Sequence, residues 1–139
     1  LVVPDRETPT RAARDSLPAT VPLAAAVHNL AHTALLVGAL AGSAWDLLRP
    51  ALQDRLHQEQ RLRLLPGLAA ALAALDAEPG CEGAVLSGSG PALLGFVRAG
   101  STASGEQAAA ILARHGIAAA LLRVRPQTAG ATWEVRPGA

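Results

Sequence analysis

Hydrophobic residues occur along this chain in two kinds of run. Short, nearly continuous apolar runs are typical of strands, and longer stretches with apolar residues three or four apart are typical of helices. In chain order they predict a strand at 1–4, helices at 10–16, 22–40, 44–58 and 66–76, two strands within 83–97, a helix at 106–115, a strand at 118–124 and an edge strand at 130–135. This order predicts a single α+β domain over residues 1–139, a ferredoxin-like antiparallel sheet with helices on one face.

The longest predicted helix begins with Pro22 in its first turn and has one apolar stripe that we expect to face the core. Asn29 lies among apolar residues and needs a hydrogen-bond partner if it is buried. His28 and His32 have the spacing of two helical metal ligands, but position 29 is not Glu and no third ligand is evident. We therefore interpret them as surface histidines and predict no metal site. The stripe consists of Leu23, Val27, Leu30, Ala34, Val37 and Ala41.

The next predicted helix contains Pro50, where we expect a kink or break. It ends in a polar segment, residues 54–61, and an extended link at 62–67. One interpretation is a solvated helix end. The other is that the link delivers Arg61 to a pocket, because a guanidinium group can bind a carboxylate through two parallel hydrogen bonds.

Small residues, Ser87-Gly88-Ser89-Gly90, separate the two strands of the predicted hairpin. Without bulky side chains their backbone can adopt positive φ and approach a ligand, and successive N–H groups can form a concavity for an anion. The loop is neither a Walker A loop nor a dinucleotide fingerprint, because no Lys follows and position 93 is Leu. An ordinary turn is the alternative interpretation.

Composition narrows the class of protein. Half of the 139 residues are hydrophobic and the net charge is +1, so neither disorder nor a nucleic-acid partner is indicated. The apolar stretch nearest to a membrane span carries four polar residues, and we predict no membrane contact.

The single cysteine, Cys81, fits a reducing cytoplasm and has no neighbour that would activate it as a nucleophile. The chain has no Met and opens on an apolar run, from which we expect the C-terminal part of a longer protein.

Four segments in this order resemble the homoserine kinases, a family within the superfamily of galactokinase, homoserine kinase, mevalonate kinase and phosphomevalonate kinase (the GHMP kinases). The glycine loop is typical of the whole superfamily. The segment with Thr10 and Arg14 and the segment at residues 54–67 point to homoserine kinase itself. The resemblance extends over about residues 1–125. The segments are Val2-Val3-Pro4-Asp5, Thr10-x-x-x-Arg14 before Leu17-Pro18, residues 54–67 from Asp54-Arg55-Leu56-His57-Gln58 to Leu65-Pro66-Gly67, and Leu86-Ser87-Gly88-Ser89-Gly90-Pro91.

The resemblance implies an enzyme of threonine biosynthesis that transfers the γ-phosphoryl group of ATP to the side-chain hydroxyl of L-homoserine. It implies that Arg14 and Arg61 bind the carboxylate of the amino acid and that Thr10 lies near the site of phosphoryl transfer. The loop from Ser87 to Gly90 is implied to pack against the phosphate-binding loop of an N-terminal half. Phosphoryl transfer depends mainly on positioning and charge stabilisation, which arginines and backbone N–H groups can supply.

The chain departs from the superfamily in one large respect. The Gly-Leu-Gly-Ser-Ser stretch that binds ATP is absent from these 139 residues, as are the usual partners of Mg²⁺. We therefore expect ATP and Mg²⁺ to bind mainly through an N-terminal domain that is not in this chain, and we expect the chain alone to be inactive. The family is often dimeric, so a homodimer is among the expected partners. The alternatives are a non-catalytic ferredoxin-like module that binds a small molecule or a protein, and a GHMP kinase for another small alcohol.

Overall fold

The computed structural model describes residues 1–127, 129–131 and 133. This part of the chain contains four strands and six α-helices, and a short 3-10 helix, Trp45–Leu47, precedes α3. The elements are β1 (Val2–Pro4), α1 (Thr10–Asp15), α2 (Leu23–Ala41), α3 (Leu48–Ala51), α4 (Gln58–Leu62), α5 (Leu68–Asp76), β2 (Cys81–Leu86), β3 (Leu93–Val97), α6 (Glu106–Ala113) and β4 (Ala119–Leu121).

The four strands form one antiparallel sheet in the order β2-β3-β1-β4. Val2 of β1 is opposite both Leu93 of β3 and Leu121 of β4, so the first strand of the chain is central in the sheet. A β-α-β-β-α-β chain order with the first strand between the third and the fourth is the ferredoxin-like arrangement. The predicted fold class is therefore confirmed.

The core lies between one face of the sheet and the helices α5 and α6. Its fully buried side chains include Val2, Leu68, Leu93, Leu112 and Ile117. Burying a side chain of this size stabilises the fold by about 1.5–3 kcal/mol. These residues come from both ends of the chain. The core therefore holds β1 in a fixed position relative to β2 and to the glycine loop that follows β2.

The predicted core stripe of α2 is wrong. Leu23, Leu30 and Val37 have 80%, 71% and 63% of their surface exposed, and the whole stripe faces solvent. The opposite side of the helix, with buried Ala39, packs on the 3-10 helix and α3. Apolar residues occur on both sides of α2, so a spacing of three and four does not select the side that the domain covers.

The segment after α2 is less regular than predicted. The expected helix at 44–58 is divided into the 3-10 helix and α3, with Pro50 in the first turn of α3, where its ring is tolerated. The predicted break is confirmed. Residues Gln58–Leu62 form α4, so Arg61 lies on a helix where the sequence predicted only a polar segment. The link that was predicted as extended at 62–67 is a series of turns after Leu62. Backbone hydrogen bonds to the Asp54 side chain start α4, which the hydrophobic pattern alone does not reveal.

The end of the chain differs from the prediction in length. The strand expected at 118–124 is only Ala119–Leu121, paired with β1. An edge strand was also expected at 130–135. Residues 130, 131 and 133 do not form a strand, and the other residues of that segment lie outside the described part of the chain.

Candidate functional site

Asp54 fixes the polar segment that leads into α4. Its carboxylate accepts hydrogen bonds from the backbone N–H groups of Leu56, His57 and Gln58, at 2.8, 2.9 and 3.3 Å. Burial by itself would raise the pKa of this carboxyl group. The three N–H groups, with that of His57 first, outweigh burial and hold the pKa of Asp54 below its ordinary value. Asp54 is therefore ionised at neutral pH and determines where α4 begins.

Asn29 links the same carboxylate to α2. Its Nδ2 atom donates to Asp54 Oδ1 at 3.3 Å, and its Oδ1 atom accepts from the backbone N–H of Arg55 at 2.9 Å. The expectation that Asn29 would need a partner is confirmed, since both ends of its amide are used. The contact attaches the middle of α2 to the site segment.

Arg61 lies in α4, one turn after His57, and its guanidinium reaches the glycine loop. Arg61 Nη1 donates to the carbonyl oxygen of Gly88 at 3.1 Å and lies 3.3 Å from His57 Nδ1. The Nε atom of Arg61 is buried and has no hydrogen-bond partner among the described residues. A buried N–H group without an acceptor costs free energy, so a bound anion would satisfy a donor that the domain leaves unpaired.

The loop from Ser87 to Gly90 adopts the backbone that its small residues predict. Gly88 and Gly90 have φ of 59° and 81°, in the left-handed region that favours glycine. The N–H of Ser87 donates to Ala92 O at 2.8 Å, and the N–H of Gly90 donates to Ser87 O at 2.9 Å. These two bonds close the loop and leave only its middle N–H groups for the predicted anion-binding concavity.

Thr10 and the glycine loop line one open cleft of about 490 Å³. Ser89 and Gly90 form one side, and the turn after β1 with Thr10 forms the other. Pro9 occupies the capping position of α1, and Thr10 is the first residue of this helix. A side chain at the first helical position can project outward, so the Thr10 hydroxyl is exposed at the cleft.

Arg14 lies one turn further along α1 than Thr10, on the same helix face. Its side chain is exposed and makes no hydrogen bond or salt bridge with the described part of the chain. The structure therefore brings Thr10 and the glycine loop together on one cleft, and Arg61 contacts the loop at Gly88 without lining that cleft. It shows no contact between Arg14 and Arg61, and their joint role remains a prediction.

His28 and His32 stack on each other, with ring centroids 3.7 Å apart. His32 Nδ1 donates to the carbonyl oxygen of His28 at 2.7 Å, and His28 Nε2 is buried without a partner among the described residues. Desolvation by burial, followed by the charges of Arg55 and His32, lowers the pKa of His28. In the described part of the chain, no group of three or more His, Cys, Asp or Glu side chains is arranged to hold a metal ion.

A second cleft, of about 390 Å³, lies between α3 and α5 and contains none of the predicted site residues. Arg49 and Asp76 form an ion pair there, and Arg49 also donates to the carbonyl oxygen of Cys81 at 2.9 Å. Asp76 accepts from the backbone N–H of Ala84 at 2.9 Å. These contacts tie the helices to β2. Burial raises the pKa of the Cys81 thiol, which keeps it protonated and unreactive, as predicted.

Sequence reasoning gave no role to Asp54 and His57, although both lie in the polar segment that it singled out. A signal was present. Aspartate followed two to four residues later by a helix start is the pattern in which a carboxylate accepts backbone N–H groups. The contact of His57, the residue before α4, with Arg61 follows from their one-turn spacing at the start of that helix, where the sequence predicted only a polar segment.

The model of the family described as "GHMP kinases C terminal" matches residues 24–118, more than half of the chain. The chain belongs to this family. The GHMP kinase domain is 46% identical over 120 residues to a homoserine kinase of Desulfitobacterium hafniense, covering 85% of the chain and 40% of that relative. It is 45% identical over 104 residues to one of Thermus thermophilus, covering 74% of the chain and 35% of the relative.

The GHMP kinase domain also resembles a solved structure. A crystal structure of homoserine kinase from Cytophaga hutchinsonii superimposes with a TM-score of 0.73 at 25% identity, over 87% of this chain and 39% of that one. The predicted resemblance to GHMP kinases is therefore confirmed. The chain spans about two fifths of the length of the relatives that it matches.

Proposed function

We propose that this chain is the C-terminal, substrate-binding part of a homoserine kinase. In the proposed reaction the hydroxyl oxygen of L-homoserine forms a bond to the γ-phosphorus of ATP. The bond from that phosphorus to the β,γ-bridging oxygen breaks, ADP leaves, and the hydroxyl group loses its proton. The product, homoserine phosphate, is an intermediate in the synthesis of threonine, and we expect the enzyme to act in the cytoplasm.

One observation carries the assignment of the substrate site. The Arg61 guanidinium is fixed on the glycine loop through Gly88, beside a cleft that Thr10 shares with Ser89 and Gly90. Its buried Nε atom lacks a partner in the described part of the chain. In the proposed complex Arg61 and Arg14 bind the carboxylate of homoserine, which places the substrate hydroxyl toward Thr10 and the loop. Holding the substrate in one geometry is the main contribution of such groups to phosphoryl transfer.

The described residues of this chain do not by themselves offer a site for ATP and Mg²⁺. The chain has no lysine, its described part has no cluster of acidic side chains, and two of the loop's N–H groups are used within the loop. We therefore assign nucleotide and metal binding mainly to the N-terminal part of the complete protein. The loop from Ser87 to Gly90 would support the phosphate-binding loop from that part, and this chain's residues would bind and orient homoserine.

The exposed stripe of α2 supports a role within a longer protein. Its leucines and valines form an apolar surface that the described residues leave in solvent, and surfaces of this kind usually contact another protein segment. The steps of four and three residues along the stripe suit packing against another helix. Because the relatives are more than twice as long as this chain, we assign the surface to the N-terminal part.

A membrane is a less suitable partner for α2. By length and composition alone this helix could cross one. However, Asn29 in its middle is hydrogen-bonded to the ionised carboxylate of Asp54. Inserting the helix would either break this contact or bring a charge into the hydrocarbon layer, and both cost several kcal/mol. A second copy of the chain is the other alternative, and it is distinguished by experiment.

The test is homoserine-dependent release of ADP by the complete protein and by this chain alone, with equal concentrations of folded protein. We expect release only from the complete protein. Release that depends on a different alcohol would indicate another small-molecule kinase of the superfamily. No release with any alcohol would refute catalysis and favour a binding module, and activity of the chain alone would refute the assignment of ATP to the N-terminal part.

A further inference from the structure

His57 lies between Asp54 and Arg61 and contacts both. Its Nε2 atom is 3.3 Å from Asp54 Oδ1, and its Nδ1 atom is 3.3 Å from Arg61 Nη1. Asp54 is itself held by the backbone N–H groups at the start of α4 and by Asn29. The imidazole thus connects a fixed carboxylate to the guanidinium at the glycine loop.

The chemistry of the two neighbours determines the protonation of the ring. A guanidinium group only donates hydrogen bonds, so His57 Nδ1 accepts one and carries no proton. In the neutral ring the proton is then on Nε2, the nitrogen that lies 3.3 Å from the ionised carboxylate of Asp54. Neutral His57 with its proton on Nε2 therefore suits both neighbours.

The two contacts of Arg61 Nη1 limit how its guanidinium can rotate. His57 Nδ1 and the Gly88 carbonyl oxygen both accept from this one nitrogen, from α4 and from the loop respectively. In the described part of the chain, Arg61 Nη2 has no hydrogen-bond partner and Nε is buried without one. With Nη1 fixed and Nε enclosed, Nη2 is the nitrogen that is left for a ligand, and it can donate to an oxygen of a carboxylate.

We infer that His57 is a positioning residue for Arg61: held by Asp54, it orients the guanidinium so that Nη2 is free for the substrate carboxylate. This inference rests on the proposed function. His57 does not contact the substrate. Because His57 already restricts Arg61 in the free protein, Arg61 loses less conformational freedom when homoserine binds. His57 therefore contributes to the affinity for homoserine and not to the binding of ATP.

The experiment compares His57→Leu and His57→Gln in the complete protein by steady-state release of ADP. For His57→Leu we expect the KM for homoserine to rise about 3- to 10-fold, the effect of one lost hydrogen bond, with kcat and the KM for ATP changed by less than about twofold. The amide of His57→Gln has both an acceptor and a donor, so we expect it to restore the KM for homoserine to within about twofold. His115→Leu, an exposed histidine beyond α6, is the matched control and should change nothing.

Four outcomes would overturn the inference. Leu and Gln variants with the same raised KM would indicate a packing role, as would a fall in kcat with an unchanged KM for homoserine. A proton on Nδ1 of His57, measured through long-range ¹⁵N–¹H couplings in the complete protein, would contradict the assigned tautomer even if the kinetics agreed. If the wild-type protein released no ADP with homoserine, the proposed function would fail and the inference with it; if only the variants behaved differently from expectation, the inference alone would fail.

Discussion

The guanidinium of Arg61 and the carbonyl group of Gly88 are 27 positions apart in the chain and are joined by a 3.1 Å hydrogen bond. The bond connects a five-residue helix, α4, to the loop between β2 and β3. A candidate substrate-binding side chain is thereby attached to the loop that lines the cleft with Thr10. Changes in either residue should affect the site through the other.

Arg61→Ala and Arg14→Ala in the complete protein should weaken the binding of homoserine far more than that of ATP. Loss of a charge-assisted contact to a carboxylate costs on the order of 2–4 kcal/mol. Isothermal titration with each substrate measures both affinities. Arg63→Ala is the control, because Arg63 is 70% exposed and pairs with Glu59 on the surface of α4. Equal losses for homoserine and ATP would contradict the assignment to the carboxylate.

Gly90→Ala should destabilise the domain more than Gly100→Ala. Both glycines have φ of 81°, so the backbone strain of a new Cβ, about 1 kcal/mol, is matched. A Cβ at position 90 would lie 2.9 Å from Leu86 Cδ1, whereas one at position 100 has nothing within 4 Å. Because Leu86 is buried in the core, we expect a further cost of about 1–3 kcal/mol for Gly90→Ala. Urea unfolding measures the difference. Equal losses in the free energy of unfolding for the two variants would show that the loop relaxes around the new Cβ at position 90.

Asp54→Asn should destabilise the domain at neutral pH by about 1–3 kcal/mol, because the N–H groups at the start of α4 lose an ionised acceptor. The pKa of Asp54 is lowered in the folded state from an ordinary value of 3.8. Its contribution is therefore fully present above pH 3.8 and is lost as the pH falls through the lower, folded-state pKa.

Urea unfolding of wild type and Asp54→Asn at pH 7 and at pH values below 3.8 tests this sign. We expect the difference in the free energy of unfolding to shrink as the pH falls. A difference that stays constant over this range would mean that the charge of Asp54 does not stabilise the start of α4.

Leu30→Asn tests the partner of the α2 stripe. Leu30 is 71% exposed, so in this chain alone we expect a change in the free energy of unfolding of less than about 0.5 kcal/mol. In the complete protein, where the N-terminal part would cover this side chain, we expect a loss of about 1–3 kcal/mol. Leu48→Ala is the control: Leu48 is fully buried, and the substitution should cost about 2–5 kcal/mol in both proteins.

Three results would contradict this assignment. If the chain alone is dimeric by sedimentation and Leu30→Asn makes it monomeric, the partner is a second copy. If the complete protein sediments with phospholipid vesicles and Leu30→Asn releases it, the partner is a membrane. An equal small effect of Leu30→Asn in both proteins would mean that the stripe has no partner.

The sequence by itself determined the order of elements, the α+β class and the glycine loop. Apolar periodicity and small residues act locally, so the pattern was sufficient to predict β1, α2 and the positive φ of Gly88 and Gly90. The GHMP kinase resemblance rested on short segments whose residues lie close together in the chain, and the family comparison confirmed it.

The tertiary structure alone decided which side of α2 is covered and what organises the site. Apolar residues on both sides of that helix make its pattern ambiguous, and the covered side depends on where α3 packs. The contacts of Asp54 with Asn29 and of Arg61 with Gly88 join residues at least 25 positions apart. Such contacts arise only when the core has fixed the elements that carry them, so no local pattern encodes them.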